Sequence, residues 1–495
     1  MKISSVVVLG AGSAGFMAAL TLKTKLPHLS VRVVRSPEIG VIGVGEATTP
    51  ALSRHLFDYL KLKPRDFYTG AQPTYKMGIR FLWGPRQDFV YTFAFEHEYR
   101  HPELARNNGF YYSDERPWLG QASAFMLHDK VFARRPDGLP QFHNKHAFHI
   151  ENVTFIGWLE QCCRGLGVEI TDATVSVETG GEGIAALITK EGERITADLY
   201  VDASGFRSEL LGRALAEPYR SYADTLFCDR AVVGGWNRKS NDPIIPYTIA
   251  ETMDSGWCWQ IDHEKVIHRG YVYCSAFISD DAAREEFLRK NPKADPADTR
   301  VVKFRSGRHE RSWVGNVVGV GNSVGFVEPL ESSALQILCI ECRTLADSLL
   351  DSLCDPPPTL IKLYNRYNGD AWDDIRNFLA VHYKFNTRLD TPFWLAARQD
   401  VALHGAADIV EWYQENGPSV VAGVTLIHES NAFRMDGFLA LLTGQNVPHQ
   451  KAWTLPPAEQ EFWSKYYLQL AGESKRAMTS EEVFTILRDP ALKWA

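Results

Sequence analysis

Ile3 to Leu9 is a short apolar, β-branched run without polar alternation, the pattern of a parallel strand covered on both faces. A glycine loop follows it, then Phe16 to Lys25 with helical composition, then a second β-branched run at Val31 to Val34. That order predicts a βαβ unit. Gly181 to Glu193 carries turn residues between β-rich runs and predicts a hairpin, and Leu199-Tyr200-Val201-Asp202 reads as another buried strand. Ile244 to Phe277, rich in Trp, Tyr, Val and Cys, predicts sheet. Trp313 to Gly321 predicts a strand entering a glycine loop, and Ser332 to Leu350 a helix. Asp355-Pro356-Pro357-Pro358 cannot continue a helix and marks a linker. Beyond it the pattern is mostly helical, ending in Thr479 to Leu487, where Thr479 and Ser480 offer N-cap hydroxyls before Glu481 and Glu482. The expected class is α/β. Residues 1–350 form one domain with an antiparallel sheet inserted in it, and 355–495 a mainly helical C-terminal region.

With 495 residues, 45% of them hydrophobic, the chain can fill a core for two or three domains. The net charge of -7 leaves no basic footprint, so no nucleic-acid partner is expected. From the Met1-Lys2-Ile3 start no signal peptide is expected, and no stretch approaches the ~18 consecutive apolar residues of a membrane span. The eight cysteines are scattered, as in a cytoplasmic protein with reduced thiols. Cys339-Ile340-Glu341-Cys342 spells C-x-x-C but sits in an apolar helical run without a second pair, so packing is expected there and no metal site. There is no internal repeat.

Gly10, Gly12 and Gly15 follow a strand and open a helix, the context in which a dinucleotide fingerprint works. Missing Cβ atoms let the backbone turn tightly and approach a pyrophosphate, with Ser13 and Ala14 at the helix N-terminus behind it. The acid expected to bind ribose is replaced by Arg35 and Ser36. Asp202-Ala203-Ser204-Gly205 and Gly319-Val320-Gly321-Asn322 fall at strand ends, where either turn chemistry or nucleotide contact accounts for them. Gly180-Gly181-Glu182-Gly183 follows no clear strand and reads as a hairpin turn, so no second fingerprint serves a nicotinamide cofactor.

Lys76, before Met77-Gly78-Ile79, is either a snorkelling lysine or a perturbed amine. Glu331 is a helix-dipole partner, a surface charge or a general base. Trp257 and Trp259 alternate along a strand and can be plain core.

Four motifs in this order change the weighing. They are Gly10-Ala11-Gly12-Ser13-Ala14-Gly15, Gly43-Val44-Gly45-Glu46-Ala47-Thr48, Thr74-Tyr75-Lys76-Met77 and Phe326-Val327-Glu328-Pro329-Leu330-Glu331-Ser332-Ser333-Ala334. Together they resemble the flavin-dependent tryptophan halogenase family, and the resemblance extends to Asp390-Thr391-Pro392-Phe393-Trp394 before fading. It implies a Rossmann-like FAD-binding domain with an inserted substrate sheet. It also implies FAD held by the first motif, by a strap at 43–48, and by Asp202, Gly205 and Gly321. With one FAD site, reduced flavin is supplied by a separate flavin reductase; O2 and chloride or bromide complete the reagents. The resemblance makes Lys76 the receiver of hypohalous acid formed at the flavin, and Glu331 the carboxylate that stabilises the arenium and removes its proton, with Ser332 orienting it. The backbone of Ser333 and Ala334 would hold the halide. Tyr91 and Phe93 would flank the substrate, and Trp257 and Trp259 would separate it from the flavin.

The chain also departs from the family. Asp262 ends Trp257-Cys258-Trp259-Gln260-Ile261-Asp262 where the family signature has proline, and Ala334 stands where glycine is usual. If that backbone is left-handed, alanine costs about 1 kcal/mol and weakens chloride binding more than bromide. Tyr91 replaces a histidine, Val421-Ala422-Gly423 lacks the paired tyrosines that hold a free amino acid, and Arg434-Met435-Asp436-Gly437 replaces an Asn-rich segment. Burying an unpartnered ammonium and carboxylate is costly, so an indole derivative, a phenol, a peptide or another electron-rich arene is expected rather than free tryptophan. The competing readings are an FAD-dependent aromatic monooxygenase and a non-catalytic flavoprotein. Monomer and homodimer both stay open.

Overall fold

In a computed structural model of the chain, the structure describes residues 2–40, 45–96, 120–142, 146–181, 183–239, 241–428, 431–451, 454, 456–489 and 492. Two compact units form. One combines Met1–Gln72, Ile150–Ala223 and Phe304–Asp373, the other Pro73–His149, Asp224–Lys303 and Asp374–Ala495.

The first unit is built on a six-stranded sheet. Its order is Trp313–Val314, Val317–Gly319, Leu199–Asp202, Ser5–Leu9, Ser30–Arg35, Glu169–Asp172. The pairings are parallel except for the first hairpin, with Val8 beside Val201 on one side and Val33 on the other. Val6, Val7 and Val8 are buried because both faces are covered, which is why that run shows no alternation. The helix Ser13–Lys25 returns the chain between the first two strands and packs on Asn152–Gly165 and Ala334–Asp351. The expected βαβ unit is present. The Gly181 hairpin is present too, between the strands Val175–Gly180 and Gly183–Thr189.

One expectation is corrected: Trp313 to Gly321 is a hairpin turning at Gly315 (φ +55), not a single strand. The proline run does link two helices, Ala334–Asp351 and Pro358–Phe385, and its last proline is the first residue of the second. Proline suits a helix start, where its missing N–H would have no partner anyway.

The second unit holds a seven-stranded sheet ordered Arg300–Lys303, Arg230–Asn237, Val266–Tyr273, Gly256–Asp262, Tyr247–Met253, Gly78–Leu82, Phe89–Thr92. It is antiparallel apart from the pairing of Tyr247–Met253 with Gly78–Leu82. The strand Thr74–Lys76 pairs antiparallel with Ala147–Ile150, Thr74 beside His149 and Lys76 beside Ala147. Helices make up most of its C-terminal part, and Arg434–Gly444 packs on the strand Phe89–Thr92. The last helix, Ser480–Leu487, is capped as expected: Thr479 Oγ1 accepts from Glu482 N (3.3 Å) and Thr479 N donates to Glu482 Oε2 (2.8 Å). Among the described residues no helix is long and apolar enough to cross a membrane, and no cluster of His, Cys, Asp and Glu could hold a metal ion.

Candidate active site

In the first unit the three fingerprint glycines do different work. A Cβ on Gly10 (φ +116) would lie 2.2 Å from the Ala203 carbonyl oxygen, and one on Gly15 would lie 1.9 Å from the Gly10 carbonyl oxygen. Both are required by packing. A Cβ on Gly12 would meet nothing within 4 Å. Gly12 is the N-cap of Ser13–Lys25 and makes no side-chain cap, so the N–H groups of the first turn lie behind an open approach. That combination fits a pyrophosphate, and the residues present suit a dinucleotide.

The neighbouring loops brace this start. Asp202, with no exposure, accepts four hydrogen bonds: from Ser204 N (3.0 Å), Ser204 Oγ (2.6 Å), Leu210 N (2.8 Å) and Leu211 N (2.9 Å). Its carboxylate is engaged inside the protein, and burial pushes its pKa up against those bonds. Gly205 (φ +67) leaves open space where a Cβ would be. Gly321 (φ +60) sits so that a Cβ would be 3.2 Å from Ala14 Cβ, placing this loop against the helix start. Gly321 N donates to Glu341 Oε2 (2.6 Å), and Trp372 Nε1 donates to Glu341 Oε1 (3.1 Å). Burial lifts Glu341 to about 8. The C-x-x-C cysteines beside it are buried in the same helix. Arg35, standing where a ribose-binding acid was expected, is held by Asp172 (2.6 Å) and Glu160 (2.9 Å).

Of the expected strap, Gly43 and Val44 lie outside the described residues. Gly45 has φ +65, Ala47 is half-buried and Thr48 is buried. Glu46 accepts from Asn152 Nδ2 (2.9 Å), and burial lifts it to about 7.

The run Phe326–Ala334 folds as a short 3-10 turn, Pro329–Glu331, followed by the helix Ala334–Asp351. Glu328, Glu331, Ser332 and Ser333 are at most 2% exposed. The turn between the two elements is made by Ser332 in the left-handed conformation (φ +57), its N–H donating to Pro329 O (3.0 Å). Ala334 opens the helix and is not among the positive-φ residues. The expected strain at Ala334 is therefore absent, and the special backbone belongs to Ser332. Ser333 Oγ is buried without a hydrogen-bond partner among the described residues, close to the unpaired N–H groups of the helix start. An anion suits that corner.

In the second unit Lys76 ends the strand Thr74–Lys76 with no exposure, its Nζ 5.2 Å from the Phe93 ring centroid. It is not a snorkelling surface lysine. Tyr91 and Phe93 are ring neighbours (6.3 Å), and Tyr91 is 6.1 Å from Phe378. A Cβ on Gly437 would come within 3.0 Å of the Tyr91 hydroxyl and 2.9 Å of Phe378, so the Arg434–Gly444 helix approaches this aromatic group at a glycine. Trp257 and Trp259 are both buried, 6.0 Å apart, and Trp259 lies over Gly270 of the next strand. Trp259 Nε1 has no hydrogen-bond partner among the described residues.

Asp262 forms a buried ion pair with Arg238 (2.5 Å) and accepts from Gln260 Nε2 (2.9 Å). His149 was not singled out from the sequence, yet it sits directly across the ladder from Thr74. Its signal, an isolated histidine in a short apolar run, is too common to carry weight. Glu341 was hidden in the same way, inside a motif read as packing.

The tryptophan halogenase family model matches residues 5–458. Tryptophan 6-halogenase ThaL of Streptomyces albogriseolus is 33% identical over 444 residues, covering 84% of this chain and 83% of that protein. Among solved structures, MibH, a lanthipeptide tryptophan 5-halogenase, superposes with a TM-score of 0.87 at 36% identity, covering 99% of this chain and 94% of that one. Tryptophan 6-halogenase SttH of Streptomyces toxytricini gives 0.87 at 26% identity, covering 98% and 100%.

Proposed function

The chain belongs to the tryptophan halogenase family, and from that membership we propose which residues carry the halogenation and what they act on. The net change is ArH + HOX → ArX + H2O, with X chloride or bromide. Reduced FAD from a separate reductase, when bound, would supply the hypohalous acid from O2 and halide. Gly12 and the N-terminus of Ser13–Lys25 would hold its pyrophosphate, and the loops at Gly205 and Gly321 its remaining length. Asp202 supports that site by bracing the loop after its strand, since its carboxylate is spent on Ser204, Leu210 and Leu211.

Lys76 would receive the hypohalous acid, as a hydrogen-bond donor or as a haloamine. The observation that carries this reading is its complete burial at a strand end, with the amine facing an aromatic ring rather than water. Glu331 would stabilise the ring cation and take its proton, and the start of the helix Ala334–Asp351 would hold halide. Hydroxylation of the arene is not favoured, because the named relatives are halogenases.

For the substrate, we propose a tryptophan-type indole carried in a peptide. Tyr91, Phe93 and Phe378 supply an aromatic wall, and Val421-Ala422-Gly423 lacks the paired tyrosines with which the family holds a free amino acid. MibH, the lanthipeptide halogenase, is 36% identical along almost the whole chain. The test combines the protein with a flavin reductase, NADH, and chloride or bromide. It is offered free tryptophan, a blocked tryptophan amide and tryptophan-containing peptides, with products read by mass spectrometry. Free tryptophan matching the peptides in rate removes the peptide assignment. Flavin turnover with no halogenated product from any arene removes the halogenase assignment.

A further inference from the structure

The strand that presents Lys76 is gripped from both faces. On one face Tyr75 packs against Phe132 (5.0 Å), His146 (5.4 Å) and, stacked, Phe484 (5.5 Å). The other face carries Thr74 and Lys76, two residues apart and therefore on the same side. Across the ladder, Thr74 stands opposite His149 and Lys76 opposite Ala147. Cross-strand partners share a face, so Ala147 leaves the room that the lysine chain occupies.

Thr74 and His149 converge on one atom. Thr74 Oγ1 donates to the Asp262 carbonyl oxygen (2.5 Å), and His149 Nδ1 lies 3.3 Å from the same oxygen. His149 Nε2 is 2.9 Å from Thr248 Oγ1. The Asp262 carbonyl can only accept, so Nδ1 carries the proton and Nε2 accepts from the Thr248 hydroxyl. Burial, then Lys76, His263 and Arg238, hold the imidazole well below its ordinary range, which keeps it neutral. The carbonyl is itself fixed, because the Asp262 side chain is tied to Arg238 and Gln260.

We propose that Thr74 and His149 are positioning residues for Lys76, acting through the Asp262 carbonyl at the place where the family's tryptophan motif carries proline. The proposal rests on the halogenase reading of Lys76. Proline stiffens a strand end by fixing φ. Here a carboxylate clamped by a buried guanidinium serves the same purpose. A shifted Lys76 would let hypohalous acid escape before it meets the arene.

The variants are Thr74→Val, which keeps shape and removes the donor, Thr74→Ser, which restores it, and His149→Leu. Each is run with reductase, FAD, bromide and an indole substrate. Halogenated product and hypohalous acid trapped by monochlorodimedone are both counted per flavin oxidised. A small displacement of a reacting group costs ten- to a hundredfold, so Thr74→Val should lower product per flavin about tenfold, with trapped hypohalous acid rising to match. Thr74→Ser should recover most of the product, and FAD affinity should stay unchanged in all three. Should Thr74→Val melt early, Thr248→Val, which removes only the outer partner of His149, should show the same escape. Wild-type ratios in folded Thr74→Val and His149→Leu overturn the positioning role alone. A wild-type protein that yields neither product nor trapped hypohalous acid overturns the halogenase reading, and this proposal with it.

Discussion

The Gly321 amide donates a 2.6 Å hydrogen bond to Glu341, a fully buried carboxyl on the helix Ala334–Asp351. That one bond ties a proposed flavin loop to the helix whose first turn holds Ser333 and Ala334. Its second partner, Trp372 Nε1, is also a donor, so neither bond rewards the carboxyl for keeping a proton. Burial alone lifts it to about 8.

A carboxyl with a raised pKa keeps a proton in the folded chain that the unfolded chain has already lost. Its stabilising effect is complete below the ordinary value near 4.5 and is lost as pH rises from there to about 8. Thermal melts should show stability declining over that window, by roughly a few kcal/mol in total. Glu341→Gln, neutral throughout, should flatten the decline. Melts of both proteins with the same slope between pH 5 and 8 remove Glu341 as its source.

Much of this was legible in the sequence because it is local. The strand Ser5–Leu9, its glycine loop and the helix behind it follow from neighbouring residues, and so does the Thr479 cap. Pairings distant in sequence were not legible. Asp262 and His149 are 113 residues apart, and only the sheet brings the carbonyl of one to the ring of the other. Pattern reading also put backbone strain on Ala334 because glycine is usual there, whereas the left-handed residue is Ser332. The proline run was read for what it stops rather than for what Pro358 starts.

Gly12 and Gly15 should separate cleanly on substitution. Gly12→Val points into open space, so the protein should fold with an unchanged melting temperature and lose flavin binding. Gly15→Val drives its side chain into the Gly10 carbonyl and should cost several kcal/mol or prevent folding. Flavin fluorescence titrations alongside melts read both effects. Flavin bound normally by folded Gly12→Val would take the pyrophosphate away from this loop.

Lys76→Met keeps the buried apolar stem and removes the amine. Flavin oxidation should continue while arene halogenation stops, and trapped hypohalous acid should rise. Glu331→Gln keeps the shape of its side chain and should lower kcat by about 10²-fold or more with little change in KM. A variant that raises KM alone makes Glu331 a binding residue.

Ser332 and Ala334 should respond to glycine in opposite directions. Ser332 holds φ +57, which costs an ordinary residue about 1 kcal/mol and glycine almost nothing. Ser332→Gly should therefore preserve or raise stability, leaving any lost activity to the missing hydroxyl. Ala334 is the first residue of a right-handed helix, where glycine is worse than alanine by up to about 1 kcal/mol. Ala334→Gly should lower the melting temperature slightly and leave the ratio of bromination to chlorination as it was. With no strain at Ala334 to relieve, the methyl group is the only change the halide could feel. Competition assays with equal chloride and bromide decide it: a shift toward chloride in Ala334→Gly would mean the methyl narrows the halide corner even in relaxed backbone.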